Sequence, residues 1–537
     1  MKEITVNVRS FEDIRTKGDY IYVDKTKYVY NLVSDELTNY FSIFRPRRYG
    51  KSLMCATLRA LFEGKRELFR GLYIDGTDYS FEKFPVIHLN FADISTASYD
   101  VFLKAFQRRI IDQAENNGVE IERDESSEML YSLLYKFDRK AVIIVDEYDS
   151  PIIDSYMDKE KSDRIRNTLS MFYTVIKNND DRVRFFFITG ITKFSNLSIF
   201  SKMNNLTDLS MNDDYAAAFG YTQEELETNF ADYIDAYLAR EDREYETRGE
   251  FLEAVRDYYD GYLFSPYSGE RVYNPVSIGT FFNNKCRFCS YWVNTGASTL
   301  AVSLARDYNL ERIMTDDVDL EMESINTFDY SHLRDKKLDD SQVLALIYFT
   351  GYLTIRSGNS NVLHLSFPNT EVREMFTKNL VAMFTGIKTS IFADMAVEAV
   401  RSGKTEEVVR VMNAYMNKYQ YDTLDRAEKG YQEMFYSFFL MIGGVRVAAE
   451  DRTLLGRSDI VLTLKRDVYI IEIKVDKSAE AALRQIHDNG YYHKYINTEK
   501  TIHLIGLNFT SEKRQIDSWV EETVDKTKEP TYLGESC

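Results

Sequence analysis

At 537 residues and 44% hydrophobic content, the chain is too long for one ordinary domain and apolar enough for real cores, and roughly three or four domains are expected. Its formal net charge of −18 excludes whole-molecule attraction to nucleic acid and leaves only a regional basic groove for that purpose. Four cysteines, Cys55, Cys286, Cys289 and Cys537, are too few and too scattered for a disulfide framework, which fits a reducing cytosol.

The first residues, Met-Lys-Glu-Ile-Thr-Val, carry no apolar leader, and no stretch approaches 18 uncharged apolar residues. The expectation is a soluble, cytoplasmic protein with no membrane partner. Residues 40–44, Tyr-Phe-Ser-Ile-Phe, suit a buried strand, and residues 53–62 place apolar side chains at helical spacing. Between them runs Phe44-Arg45-Pro46-Arg47-Arg48-Tyr49-Gly50-Lys51-Ser52, which reads as a phosphate-binding loop opening a helix. Lys51 would reach the β- and γ-phosphates of ATP, and the Ser52 hydroxyl would ligate Mg²⁺. The pattern G-x-x-x-x-G-K-[ST] asks for glycine where this chain has Arg45, so a plain basic loop before a helix is the competing reading.

Further along, residues 84–91 form a candidate strand and residues 99–115 are helical in period. Residues 141–145, Ala-Val-Ile-Ile-Val, are a short β-branched run ending on Asp146 and Glu147. Asp146 takes the role of a Walker B aspartate holding Mg²⁺ through water, and Glu147 that of a general base for the attacking water. Residues 184–190 form another such strand, at whose end Thr189 either positions water or senses the γ-phosphate, or caps a turn. Arg47 and Arg48 lie inside the loop, and no arginine finger is assignable. Continuous apolar strands separated by helices predict an α/β parallel sheet covered on both faces, a P-loop NTPase over residues 1–210.

Residues 211–340 turn helical and polar. Cys286-x-x-Cys289 lacks two further ligands for zinc and reads as two ordinary thiols. Residues 341–380 read helix, hairpin, helix, a winged-helix-like module without a flanking basic cluster, so packing is favoured over DNA contact. Residues 381–424 form a helical linker, and an α+β region follows over 425–537.

In that last region residues 456–462 and 468–474 look like the arms of a hairpin. Alternation along a strand points Glu472 and Lys474 one way and Ile471 and Ile473 the other, toward the core. With Asp459 from the neighbouring strand they make an Asp/Glu/Lys cluster suited to Mg²⁺. The metal would acidify a water and clamp a phosphate, while Lys474 orients the nucleophile or neutralises developing charge. Glu433, on a helix over 431–441, would complete the metal shell, and Gln485 with Tyr491 or Tyr492 would brace it. An exposed sheet face laced with opposite charges is the competing reading.

Taken together the chain resembles a bacterial family that fuses an AAA-ATPase-like domain to a PD-(D/E)XK nuclease-superfamily domain. The resemblance rests on Tyr22-Val23-Asp24-Lys25-Thr26, Arg45 to Leu53, Asp146-Glu147-Tyr148-Asp149-Ser150-Pro151 and Thr189-Gly190-Ile191-Thr192-Lys193. It continues through Tyr259-Asp260-Gly261-Tyr262, Tyr273-Asn274-Pro275, Pro368-Asn369-Thr370, Gly456-Arg457-Ser458-Asp459 and Glu472-Ile473-Lys474. In that family the first loop glycine is typically replaced, as by Arg45 here. The resemblance implies ATP binding over Arg48, Tyr49, Gly50, Lys51, Ser52 and Leu53, and a restriction-endonuclease-like C-terminal fold. The function expected is an ATPase whose nucleotide state controls a Mg²⁺-dependent nuclease acting on DNA. The alternative is a nucleotide-switched signalling ATPase whose nuclease-like domain is a binding platform. A neighbour's arginine would make a homo-oligomer.

Overall fold

The computed structural model describes residues 1–4, 6, 10–34, 39–193, 205–292, 304, 318–335, 338–385, 395, 399, 404–416, 446–453, 456–463, 467–513 and 515–526. Two compact units divide the chain, the first built mainly from Met1–Arg287 and Asp317–Asn369, the second mainly from Thr370–Cys537.

In the first unit β1 (Tyr40–Phe44) is buried at all five positions, so its sequence shows no alternation. The loop after it delivers the chain into α1 (Lys51–Phe62), whose N-cap Gly50 has φ 91°, a left-handed conformation that glycine adopts without a Cβ penalty. Then follow β2 (Val86–Asn90), α2 (Tyr99–Asn116), α3 (Ser126–Lys136), β3 (Ala141–Asp146), α4 (Lys159–Asn178), β4 (Val183–Gly190) and the short β5 (Thr207–Asp208). Capped by Ser98, α2 repeats Phe102, Phe106, Ile110 and Ala114 every fourth residue and buries that stripe.

The five strands run parallel in the spatial order β2-β3-β4-β1-β5. Consequently the loop after β1 and the acids after β3 lie at the same sheet edge, the carboxyl ends of the strands, where ligands of open α/β sheets bind. Between those two strands lies β4, pairing Ile43 with Thr189 on one side and Val145 with Ile188 on the other.

After β5 the described chain is mainly helical. Capping boxes Thr222/Glu225 and Thr247/Glu250 open the helices Gln223–Asn229 and Arg248–Tyr259. Beyond them, β6 (Val318–Glu321), α5 (Asp340–Phe349), β7 (Thr354–Gly358) and β8 (Val362–Ser366) form a helix and a three-stranded antiparallel sheet with β8 central. Thus a third strand joins the expected hairpin, in a stretch read as polar and helical. It spans only four residues, burying Val318 and Leu320 while exposing Asp319 and Glu321, a pattern easily lost among acids.

The second unit holds α6 (Thr405–Met416), β9 (Arg446–Thr453), β10 (Gly456–Thr463), β11 (Asp467–Val475), α7 (Ala479–Asp488), β12 (Thr501–Thr510) and β13 (Gln515–Thr523). Its five strands are ordered as they occur in the chain. Antiparallel pairs flank one parallel pair, β11 with β12, whose crossover is α7. Val468 and Ile470 pack with Ile486, Tyr491, Tyr492 and Ile502 on the α7 side of the sheet. Tyr469, Ile471, Ile505 and Leu507 face α6. Both faces of β11 are therefore covered, which corrects the expectation of a single core side: Glu472 shares its face with Val468 and Ile470 and is 1% exposed.

Candidate functional site

At the head of α1 the first turn leaves backbone N–H groups without intrahelical partners, and the dipole adds partial positive charge there. Lys51, on that turn, is 3% exposed. Its ammonium donates to the Arg45 and Pro46 carbonyls at 3.1 Å each, so the loop wraps around it. Glu147 Oε1 stands 3.6 Å from Lys51 Nζ. Glu147 itself has φ 50°, an uncommon conformation for a residue with a Cβ.

The Asp146 carboxyl is buried, and burial followed by the Glu147 charge raises its pKa, with the Ser52 hydroxyl and Lys51 acting against them. One of its oxygens, Oδ1, is buried without a hydrogen-bond partner. An orphaned carboxylate oxygen beside the Ser52 hydroxyl fits a divalent ion, a hard cation that takes oxygen ligands.

Arg45 answers the missing glycine. No left-handed backbone occurs at this position, so a Cβ is admissible. The guanidinium, 1% exposed, donates to the carbonyls of Phe44 and Ser210 through Nη1 and of Tyr215 through Nη2. It also lies 4.2 Å from the Phe264 ring centroid. Tyr49 stacks edge-on against Tyr262 and Phe264, at 5.2 Å from each. Two side chains of the loop thus lock it to residues 210–215 and 262–264, and Tyr49 offers a ligand only its backbone. Arg48, at φ 68°, is exposed.

Thr189 lies in the sheet, buried, and donates to the Ile43 carbonyl at 2.6 Å. Asp149, two residues beyond Glu147, is fully buried, and its Oδ2 accepts from the N–H groups of Ile191 and Thr192 at 2.9 Å and from the Thr192 hydroxyl at 3.0 Å. Burial, then the charge of Glu147, pushes its carboxyl up to about 6.

A cleft of about 840 Å³ opens over the loop, within the size range of ligand sites. Besides Arg47 to Met54 and Glu147 it is walled by Tyr22, Val29, Phe219, Gly220, Tyr221, Pro275 and Val276. That apolar wall went unread in the sequence, because its residues look like ordinary core and most of them, Phe219 to Val276, lie far from the loop along the chain. Lys25, also on the wall, holds the far side in place by donating to the Ala217 carbonyl at 2.8 Å and to Glu225 at 2.6 Å.

In the second unit Glu472 and Lys474 sit two apart on β11, their side chains on one face and 3.1 Å apart. The pair Ile460↔Ile471 is in register, so Asp459 falls at the backbone position opposite Glu472. Its side chain, and all of Glu433, lie outside the described residues. Gln485 and Asn489 both donate to the Tyr491 hydroxyl, at 3.4 and 2.7 Å. Among the described residues no group of three or more His, Cys, Asp or Glu is placed to hold a metal.

These features define a chain with a P-loop NTPase unit and a restriction-endonuclease-like unit. The family described as Predicted AAA-ATPase matches residues 5–200, and the PD-(D/E)XK nuclease superfamily matches residues 426–519. An uncharacterised protein of Azotobacter chroococcum mcd 1, from the vnfD 5′ region, is 30% identical over 547 residues, covering 97% of this chain and 99% of that one. The chain belongs to that family, in which an AAA-ATPase-like domain is fused to a PD-(D/E)XK domain. The Aeropyrum pernix ORC1 protein, solved in complex with DNA, is similar over 66% of this chain and 91% of its own, at 11% identity and a TM-score of 0.24. Among the described residues no helix is long and apolar enough to cross a membrane.

Proposed function

We propose that the first unit binds and hydrolyses ATP and that its nucleotide state controls DNA cleavage by the second. The observation that carries the ATPase reading is the meeting of Lys51 and Glu147 at the open head of α1, lining a cleft of nucleotide size, with the unpartnered Asp146 oxygen next to Glu147 in the chain. The N–H groups of Lys51, Ser52 and Leu53 take the triphosphate, and Lys51 exchanges its two carbonyl partners for phosphate oxygens. Ser52 and Asp146 would hold a Mg²⁺ ion, which would supply charge neutralisation for the triphosphate. Glu147 accepts the proton of the attacking water. The apolar wall of Tyr22, Tyr221, Pro275 and Val276 takes the base.

For the second unit, support comes from the superfamily match and from Glu472 and Lys474 sharing a strand face beside the register position of Asp459. Glu472 and Asp459 would hold a Mg²⁺ ion, which would acidify a water and clamp the phosphate, and Lys474 would orient that water toward the phosphodiester. The test incubates purified protein with linear, circular and single-stranded DNA, with and without ATP and Mg²⁺. Lys51→Ala should lose ATP binding. Glu147→Gln should keep binding and lose about 10²–10⁴ in turnover. Asp459→Ala and Lys474→Ala should lose DNA cleavage and keep ATP hydrolysis. Cleavage surviving both of these substitutions would refute the nuclease assignment and leave the second unit as a platform.

A further inference from the structure

We infer that Asp149 is a positioning residue for ATP hydrolysis, fixing Glu147 by clasping the end of β4. The inference rests on the reading that Glu147 activates the attacking water. Four observations carry it. Glu147 holds a left-handed backbone, φ 50°, which a residue with a Cβ adopts only when its surroundings impose it. The residues that follow it impose it here: the Tyr148 N–H donates to the Thr189 carbonyl at 3.2 Å, and the Tyr148 hydroxyl donates to the Thr192 carbonyl at 2.7 Å. Asp149 then takes three donors from Ile191 and Thr192 on a single buried oxygen. Gly190 leaves room for this clasp, since a Cβ there would lie 2.5 Å from Asp149 Oδ1 and 2.7 Å from the Tyr148 ring.

The turn that carries the Glu147 carboxylate toward Lys51 is thus tied to residues 189–192 through Tyr148 and Asp149. Asp149 does not itself line the cleft and its side chain bonds only to Ile191 and Thr192, so it acts on turnover through the turn that carries Glu147. Its charge-assisted bonds to two backbone N–H groups are of the strong kind, and their loss frees the turn. The same seam makes the end of β4 a control point: whatever displaces residues 190–192 displaces the base.

The test measures Mg-ATP hydrolysis and, separately, equilibrium binding of a fluorescent ATP analogue. Asp149→Ala should lower kcat about 100-fold and change the binding constant by less than about threefold. Asp149→Asn keeps an oxygen for the two N–H groups and should recover about tenfold of that loss. A residue that acts through Glu147 has nothing left to position once that carboxylate is gone, so Glu147→Gln/Asp149→Ala should turn over no more slowly than Glu147→Gln alone. Additive losses in the double variant, or an unchanged kcat in Asp149→Ala, overturn the inference. If Asp149→Ala does not fold, Thr192→Val, which deletes one of the three donors, carries the same comparison. Glu147→Gln with wild-type turnover overturns instead the reading beneath it.

Discussion

Arg45 shows how one side chain can take over a glycine's position by changing what holds the loop. Glycine in a phosphate loop permits unusual backbone; here the backbone at 45 is ordinary, and the guanidinium fixes the loop from behind through three carbonyls and the Phe264 face. Burial lowers its pKa to about 10, so it stays charged in neutral solution. Arg45→Gly, although it restores the usual pattern, should therefore destabilise the first unit by about 2–4 kcal/mol, because buried carbonyls lose their donors. A melting curve of the variant checks this, and unchanged stability would show the bonds to be dispensable. Asp149 makes a second prediction, about pH. Its folded pKa, about 6, lies above the unfolded value, so the folded state holds the extra proton between about pH 4 and 6. That contribution to stability is fully present below pH 4 and lost as pH rises through 6. In Asp149→Asn the first unit's stability should rise relative to wild type on going from pH 4 to 7, as read from urea midpoints.

At the scale of elements, legibility followed locality. The strand, loop and helix around Lys51 could be read because the apolar period changes within a dozen residues. For β3 the sign was a β-branched run closing on two acids. Two of Arg45's three carbonyl partners lie more than 160 residues away, which no side-chain pattern announces. Nor does a sequence show that Glu147 is left-handed, since tertiary bonds to β4 impose it. On β11 the alternation was legible but its meaning was not: with α6 on one side and α7 on the other, both faces are core. The approach of α7 depends on Gly506, paired in register with Glu472. A Cβ at 506 would collide with the Ala479 carbonyl and lie 2.7 Å from the Leu483 nitrogen. Gly506→Ala should thus destabilise the second unit by about 1–3 kcal/mol as α7 is pushed off the sheet beside Glu472. Hydrogen exchange on the amides of Ala479–Asp488 reports that displacement, and unaltered protection would show that the helix has slack.

For the molecule as a whole, each unit carries its own five-stranded sheet and its own buried residues, so each has what independent folding requires. Calorimetry should resolve two transitions rather than one. Nucleotide binds only the first unit on the proposed reading, and a ligand stabilises what it binds by RT ln(1 + [L]/Kd). At a hundredfold excess over Kd this is about 2.7 kcal/mol, or about 4 °C for a unit of this size. Glu147→Gln with Mg-ATP should therefore move one transition upward and leave the other in place, while Lys51→Ala should show no shift at all. Movement of both transitions together by ATP would mean that the units unfold as one, and the nucleotide's free energy would then reach the β10 and β11 acids directly. Movement of one alone means that any control of cleavage must travel through a population change smaller than the binding energy, since a ligand shifts a second site only by its differential affinity for two states.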